Sequence, residues 1–429
     1  MNKLNVEAEI KAINKRSYLV PMLIVSSLFF IFGFVTWLNG ILIPYLKIAC
    51  QLTDTEAFFV TFAFYISYTI MALPSAWILK KTGLKNGMTT GLWIMALGTL
   101  AFIPAALLRT YSIFLTGLFI MGTGLAILQT ASNPYVTIMG PQESAAKRIS
   151  ILGICNKVAG AIAPLILAYY ILNDGDAFLA NLATLNETAK NAALDQLATR
   201  VINPYIVLTL ILLILGIIIR TSKLPDLEME SEQNGNNKNI SAKKNIFSYP
   251  HLILGAVALF FYVGVEVIAG DTIIRYGLSL GLEINKAKVF TSYTMAFMIT
   301  GYILGIILIP KIISQRMVLQ ISAILGILFA LGAIFTADIT SVIFVSLFGL
   351  ANALIWPAIW PLALHNLGKF IKTGSALLIM AIAGGAVLPL LWGILSDTIG
   401  AQNAYWMVIP SYLVILFYSV KGYRIKSWM

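Results

Sequence analysis

Charge is what this chain most conspicuously lacks. Only 11% of its 429 residues are Asp, Glu, Lys or Arg, against about a quarter in an ordinary soluble domain. So little charge cannot cover a water-facing surface, which excludes a soluble enzyme. Histidine and cysteine are also scarce, two of each: His251 and His365, Cys50 and Cys155. The cysteines fall in or beside different apolar runs and form no CxxC, so they say little about redox compartment. His365 and His251 stand near the ends of apolar runs, where a lone histidine is ordinarily just interfacial. No His-x-x-Glu-His or paired-acid pattern gives metal or hydrolase chemistry any support. A phosphate-cradling GxxxxGK[ST] loop is absent too, which disfavours an ATP-driven pump. A cleavable signal peptide is not expected, because the first apolar run is too long for one and lacks a small-residue cleavage site.

What fills the chain instead is hydrocarbon. Hydrophobic residues make up 59% and the mean hydropathy is +0.87, which excludes disorder. A membrane helix needs ~20 apolar residues. Twelve such runs can be marked, at 19–46, 57–80, 87–108, 112–139, 148–172, 201–220, 251–276, 287–310, 317–336, 340–366, 372–397 and 403–420. A lipid-exposed backbone must satisfy its own hydrogen bonds, which leaves helices or closed barrels. Runs such as Ile206–Ile219 show none of the alternation of a barrel strand. The expectation is an all-α integral membrane protein with 12 transmembrane helices.

The basic residues are distributed unevenly over the loops. The N-terminus, the even-to-odd loops and the C-terminus together hold 21 of the 29 Lys and Arg. The other side holds seven: Lys47, Arg109, Lys190, Arg200, Arg275, Lys286 and Lys288. This split predicts that both termini are cytoplasmic. It also accounts for the net charge of +11 as topology-setting charge in contact with lipid, not a nucleic-acid patch.

A polar, Asn-rich segment at 221–249 reads as a flexible cytoplasmic linker. It divides an N-terminal half, 1–220, from a C-terminal half, 250–429, with six runs each. The halves repeat. Leu28-Phe29-Phe30-Ile31-Phe32-Gly33 matches Leu259-Phe260-Phe261-Tyr262-Val263-Gly264 at an offset of 231, which also pairs Lys80 with Lys311 and Lys85 with Arg316. At an offset of 225, Gly160-Ala161-Ile162-Ala163-Pro164-Leu165 matches Gly385-Ala386-Val387-Leu388-Pro389-Leu390, and Gly124-Leu125-Ala126 matches Gly349-Leu350-Ala351. Both halves start on the same side, so the repeat is parallel. Two parallel-related six-helix halves are the plan of the major facilitator fold.

Charge at membrane depth is a functional candidate by default. Lys157 falls in the fifth run, Glu266 and Asp271 in the seventh. The two acids are five residues apart, roughly 140° around an ideal helix, and do not share a face unless the helix bends; Gly264 and Gly270 bracket them and could permit that bend. A buried carboxyl can take up a proton, or a sodium ion if neighbouring oxygens complete the shell. The competing reading is a structural ion pair between Lys157 and one of the acids. Uncharged polar groups cluster as well: Thr36 and Asn39 in the first run, Gln129 and Asn133 one turn apart in the fourth, Asn156 in the fifth. The tenth holds Asn352, Trp356 and Trp360, with Pro357 and Pro361 interrupting the ladder. Amides both donate and accept, which suits sugar hydroxyls, and an indole face suits a sugar's C–H face. For any one amide, helix-to-helix hydrogen bonding is as good an explanation. Spread over four helices of both halves, the set favours a polar substrate cavity.

Three stretches carry a resemblance. They are Ser27-Leu-Phe-Phe-Ile-Phe-Gly-Phe…Leu38-Asn39-Gly40-Ile-Leu-Ile-Pro44, Pro74…Lys80-Lys81…Gly87…Gly91…Ala96-Leu97-Gly98…Pro104-Ala105-Ala106, and Gly124-Leu-Ala-Ile-Leu-Gln129-Thr-Ala-Ser-Asn133-Pro134-Tyr-Val…Gly140-Pro141. Together they resemble the fucose and glucose/galactose sugar:cation symporters of the major facilitator superfamily, over essentially the whole chain. The resemblance implies uptake of a monosaccharide by alternating access in a bacterial inner membrane, with no cofactor and with H⁺ or Na⁺ as coupling ion. Nothing requires an oligomer, so a monomer is expected. Two departures matter. Proton-coupled fucose members carry an acid after the Asn of the Leu-Asn motif, where this chain has Gly40, and a Glu before Thr-Ala-x-Asn-Pro, where it has Gln129. The 231 offset sets Gly40 opposite Asp271, so the coupling acid is expected in the seventh run, at Asp271 or Glu266, with Lys157 as an internal cation. Gln129 resembles the glucose/galactose and amino-sugar branch, which implies a hexose such as glucose or galactose, with N-acetylglucosamine second. Asn39, Gln129, Asn133, Asn156, Asn352 and Trp356 are the candidate sugar contacts. The rival expectations are a facilitator or exporter without ion coupling, and a membrane sugar sensor that does not transport.

Overall fold

The computed structural model describes residues 21–138, 145–222, 245–309, 312–367, 370–425 and 427–428, and every regular element among them is helical. The expected linker lies outside the described residues over 223–244. So do the basic positions Lys3, Lys11, Lys15, Arg16, Lys238, Lys311, Lys369 and Lys426.

Among the described residues, eleven helical stretches are long and apolar enough to cross a membrane. One of them, Asp54–Leu107, has 54 residues. At 1.5 Å per residue it would reach about 80 Å, far beyond a ~30 Å hydrocarbon core. Gly83 breaks it, with φ 76° and ψ 172°, a conformation that glycine adopts without penalty. The two arms are spans 2 and 3, which brings the count to the expected twelve. Span 1 is Pro21–Cys50, span 4 Tyr111–Ile138, span 5 Ala145–Ile171 and span 6 Ile202–Thr221. Span 7 is Pro250–Asp271, prolonged by Ile273–Ser279. Span 8 is Phe290–Leu308, span 9 Gln315–Phe335, span 10 Asp338–Leu364, span 11 Thr373–Ile399 and span 12 Val408–Val420. Twelve crossings bring Pro21 and Val420 to the same face, the terminal face; the opposite one is the distal face.

Between spans 5 and 6 the distal face carries two short helices, Gly175–Leu182 and Glu187–Thr199, in a stretch where no apolar run marks an element. Asn186 caps the second by accepting from the Ala189 N–H. The Tyr45 hydroxyl pins its C-terminal end to span 1 by donating to the Leu197 and Ala198 carbonyls at 2.8 and 2.9 Å.

The outside of the bundle is apolar. Val207, Leu210, Ile214 and Ile217 along span 6 are each more than half exposed, a surface that suits lipid tails and not water. Inside, small residues let backbones approach. The repeat is visible in this packing. Gly33 of span 1 faces the backbone of Asn156 in span 5, and its counterpart Gly264 of span 7 faces Leu388 in span 11. The first six spans meet the last six along three seams: span 1 with span 7, span 2 with span 11, and span 5 with span 8. Ser292 donates to the Ala161 carbonyl across the last (2.6 Å), and Thr69 to the Met380 carbonyl across the second (3.3 Å).

Candidate functional site

Lys157, Glu266 and Asp271 all stand where the first six spans meet the last six. Lys157 Nζ donates to Glu266 Oε1 at 2.8 Å, joining span 5 to span 7. Their side chains are only 9% and 12% exposed. Lys157 also lies 4.6 Å from the centroid of the Trp37 ring, a second stabilising contact for a desolvated cation. Of the two acids that could have paired with Lys157, Glu266 does.

Asp271 faces elsewhere. It is fully buried, and Oδ2 accepts a hydrogen bond from Thr61 Oγ1 of span 2 at 3.0 Å. Its other oxygen, Oδ1, is buried without a hydrogen-bond partner among the described residues. Because the helical path resumes at Ile273 and runs two turns further, Asp271 lies within the span and not at its outer edge. The two acids therefore face different neighbours, as their spacing predicts for an unbent helix. The flanking glycines serve close approach: Gly270 lies against the Trp37 ring and Gly264 against Leu388.

The candidate sugar contacts fall into separate places. Asn39 is buried, and neither amide atom has a hydrogen-bond partner among the described residues. Gln129 is half-buried and donates to the Tyr68 hydroxyl at 3.2 Å. Tyr68 stacks on Tyr65 (centroids 6.1 Å apart), and Thr61, Tyr65 and Tyr68 share one face of span 2 at positions i, i+4 and i+7. One stripe of span 2 thus runs from Asp271 to Gln129. Asn133, one turn from Gln129, is half-buried. On the other side Trp356 stacks on Trp360 (5.3 Å, 21°) and lies 6.4 Å from Tyr262 of span 7. Asn352 accepts from the Tyr412 hydroxyl at 2.9 Å, and its buried Nδ2 has no partner among the described residues. Asn156 donates to the Phe29 carbonyl at 3.3 Å, a bond that holds span 5 to span 1 inside the first six.

Trp37, Thr61, Tyr65 and Tyr68 were not singled out from sequence. The available signal was proximity to marked residues: Trp37 precedes Asn39 by two, and the span 2 trio keeps helical spacing. Their partners lie on other spans, and sequence spacing within one helix does not reveal those.

Above the acids, the distal end is bridged by a polar cluster. Asp54, at the start of span 2, accepts from Lys47, from Arg275 Nε of span 7 and from Ser396 of span 11. Asp397 in turn accepts from the Asp54 N–H at 3.1 Å, from the Thr55 N–H at 2.7 Å and from Thr55 Oγ1 at 2.6 Å. Beneath the cluster Phe58 meets Trp392 edge to face at 5.2 Å. A polar cavity of ≈ 320 Å³, lined by Asp54, Arg275, Ser396 and Gln402 among others, lies against this bridge.

Comparison with known proteins fits this geometry. The Major Facilitator Superfamily profile matches residues 25–382. The chain is 34% identical to a glucose/galactose transporter of Brucella abortus over 95% of both chains. It is 30% identical to the L-fucose-proton symporter of Escherichia coli over 90% of this chain and 89% of that one. A crystal structure of the Escherichia coli fucose:proton symporter superposes with a TM-score of 0.71, at 28% identity, over 96% of this chain and 100% of that one.

Proposed function

The chain belongs to the major facilitator superfamily, among the relatives of glucose/galactose transporters and fucose:proton symporters, and we propose that it takes up a monosaccharide by symport with a proton. It is a multi-pass membrane transporter, not an enzyme. One observation carries the coupling: Lys157, Glu266 and Asp271 lie buried on the seams between the first six and last six spans. In alternating access two halves rock about a central site, here residues 1–220 against 250–429 with 221–249 as the connecting linker. Groups on the seam are then exposed to one side and the other in turn. A carboxyl there can load a proton on one face and release it on the other.

The sugar is a hexose of the glucose/galactose type, with N-acetylglucosamine as second choice. Gln129 supports this, because a neutral amide stands where the fucose branch has an acid. Asn39, Gln129, Asn133, Asn156, Asn352 and Trp356 are the proposed contacts, the amides for hydroxyls and the indole for the C–H face. The relatives named as proton symporters favour H⁺ over Na⁺. The 21-to-7 split of basic residues supports a bacterial inner-membrane orientation with the terminal face cytoplasmic.

The test is uptake of labelled glucose, galactose and N-acetylglucosamine into proteoliposomes. The expected result is accumulation of at least one sugar above its external concentration when an inward proton gradient is imposed, and mere equilibration without it. Equal uptake with and without the gradient overturns symport. No uptake of any of the three overturns the substrate class.

A further inference from the structure

The 231-residue offset that aligns the halves equates Gly40 with Asp271. In the folded chain these equivalent places come together. A Cβ on Gly40 would lie 3.0 Å from the carbonyl oxygen of Gly270 and 2.8 Å from Thr291 Oγ1. Positions that meet their own equivalents lie at the axis relating the two halves, as in an isologous interface. Asp271 is therefore placed at the pseudo-twofold axis, where its equivalent in span 1 contributes no side chain.

The two buried acids differ in what a proton would do to them. Glu266 is matched by Lys157 at 2.8 Å. Protonating Glu266 strands the Lys157 ammonium in the core, and an uncompensated buried charge is costly. Asp271 has no cation among the described residues. From span 2 it meets Thr61 Oγ1, with Tyr65 one turn on. Span 1 presents Trp37 and Gly40 to the neighbouring Gly270, and span 8 presents Thr291, which donates to the Gly270 carbonyl at 2.8 Å. On its own helix the charged neighbours are committed, Glu266 to Lys157 and Arg275 to Asp54. A carboxylate sealed from water with one neutral hydroxyl bond is expensive to keep ionised, and a proton removes that cost while stranding nothing.

We propose that Asp271, at the axis between the halves, alone carries the coupled proton, while Lys157 and Glu266 stay ionised as a pair, so that one proton moves with each sugar. The assignment rests on the symport reading above and goes further by naming the acid and the stoichiometry. The step is a protonation of the Asp271 carboxylate from one aqueous side and its reversal to the other. The Thr61 bond crosses from span 2 to span 7, so separation of the halves breaks it and wets the carboxyl.

The test uses the full chain in proteoliposomes with the membrane voltage clamped at zero and labelled galactose or glucose as probe. In the wild type, one proton per sugar gives about tenfold accumulation per pH unit and two give about a hundredfold. The expected limit is tenfold; a hundredfold overturns the proposal without any variant. Asp271→Asn is expected to keep sugar counterflow while its accumulation ratio falls to one at every imposed gradient. The double variant Lys157→Met/Glu266→Gln is expected to run more slowly yet still accumulate sugar on the gradient. Gradient-driven accumulation by Asp271→Asn overturns the assignment. So does a double variant that retains counterflow but has lost its gradient dependence. A wild type that equilibrates sugar but ignores the gradient refutes symport itself, which is a different failure, and the assignment falls with it.

Discussion

Lys157 and Glu266 stabilise the core only as a pair. Removing one partner leaves a charge in a place with little water, which costs about 3–5 kcal/mol, whereas replacing both by apolar or neutral groups is often close to neutral. We therefore expect Lys157→Met and Glu266→Gln each to lower the melting temperature of the detergent-solubilised protein, and the double variant to recover most of the loss. A thermal scan of the four proteins closes that cycle; additive losses would show that the two side chains do not interact. These charged residues were legible in the sequence, since charge in an apolar run stands out. Which acid Lys157 chooses was not legible, because it depends on how span 5 faces span 7. Trp37 shows the same limit more sharply. One more aromatic in an apolar run looks like core, yet here it touches Lys157 and Gly270 at once.

At the scale of elements, the spans were readable because a hydrocarbon crossing fixes both length and polarity. The break between spans 2 and 3 was readable from Lys80, Lys81 and Lys85, although the helix itself hardly stops there. The helix Glu187–Thr199 was not readable, since it is polar enough to pass for a loop and is held by an Asn cap and a tyrosine from span 1. Close approach between spans gives a direct prediction. At Gly33 a side chain would overlap the Asn156 carbonyl, whereas at Gly281 nothing lies within 4 Å and only the positive φ of 79° opposes one. Gly33→Leu should therefore abolish accumulation of folded protein. Gly281→Ala should cost about 1 kcal/mol or somewhat more, the strain of a left-handed alanine, and leave the protein isolable. Monodispersity on size-exclusion chromatography distinguishes them, and comparable yields would refute the packing of spans 1 and 5.

At the scale of the molecule, the bridge around Asp54 and Asp397 ties spans 2, 7 and 11 together at the distal face. Phe58, buried beneath it, reports on whether it is shut. In a background with Cys50→Ser and Cys155→Ser, a cysteine placed by Phe58→Cys should react slowly with a polar maleimide. Adding Asp397→Asn or Arg275→Ala should speed that reaction by about ten- to a hundredfold, the equivalent of the ~1.5–3 kcal/mol carried by hydrogen bonds to charged groups. An unchanged rate would mean that the bridge does not hold the mouth closed. The pairing inside the core has an electrical side as well. Lys157 and Glu266 sum to zero, so they contribute no net charge when the halves rock. If Asp271 carries the coupled proton as proposed, the loaded core is neutral and the empty core carries one negative charge. A membrane potential works on that charge alone, at about 2.3 kcal/mol per 100 mV for a full crossing. In a cell with a negative interior, voltage would leave the sugar-bearing stroke untouched and hasten the return of the empty carrier.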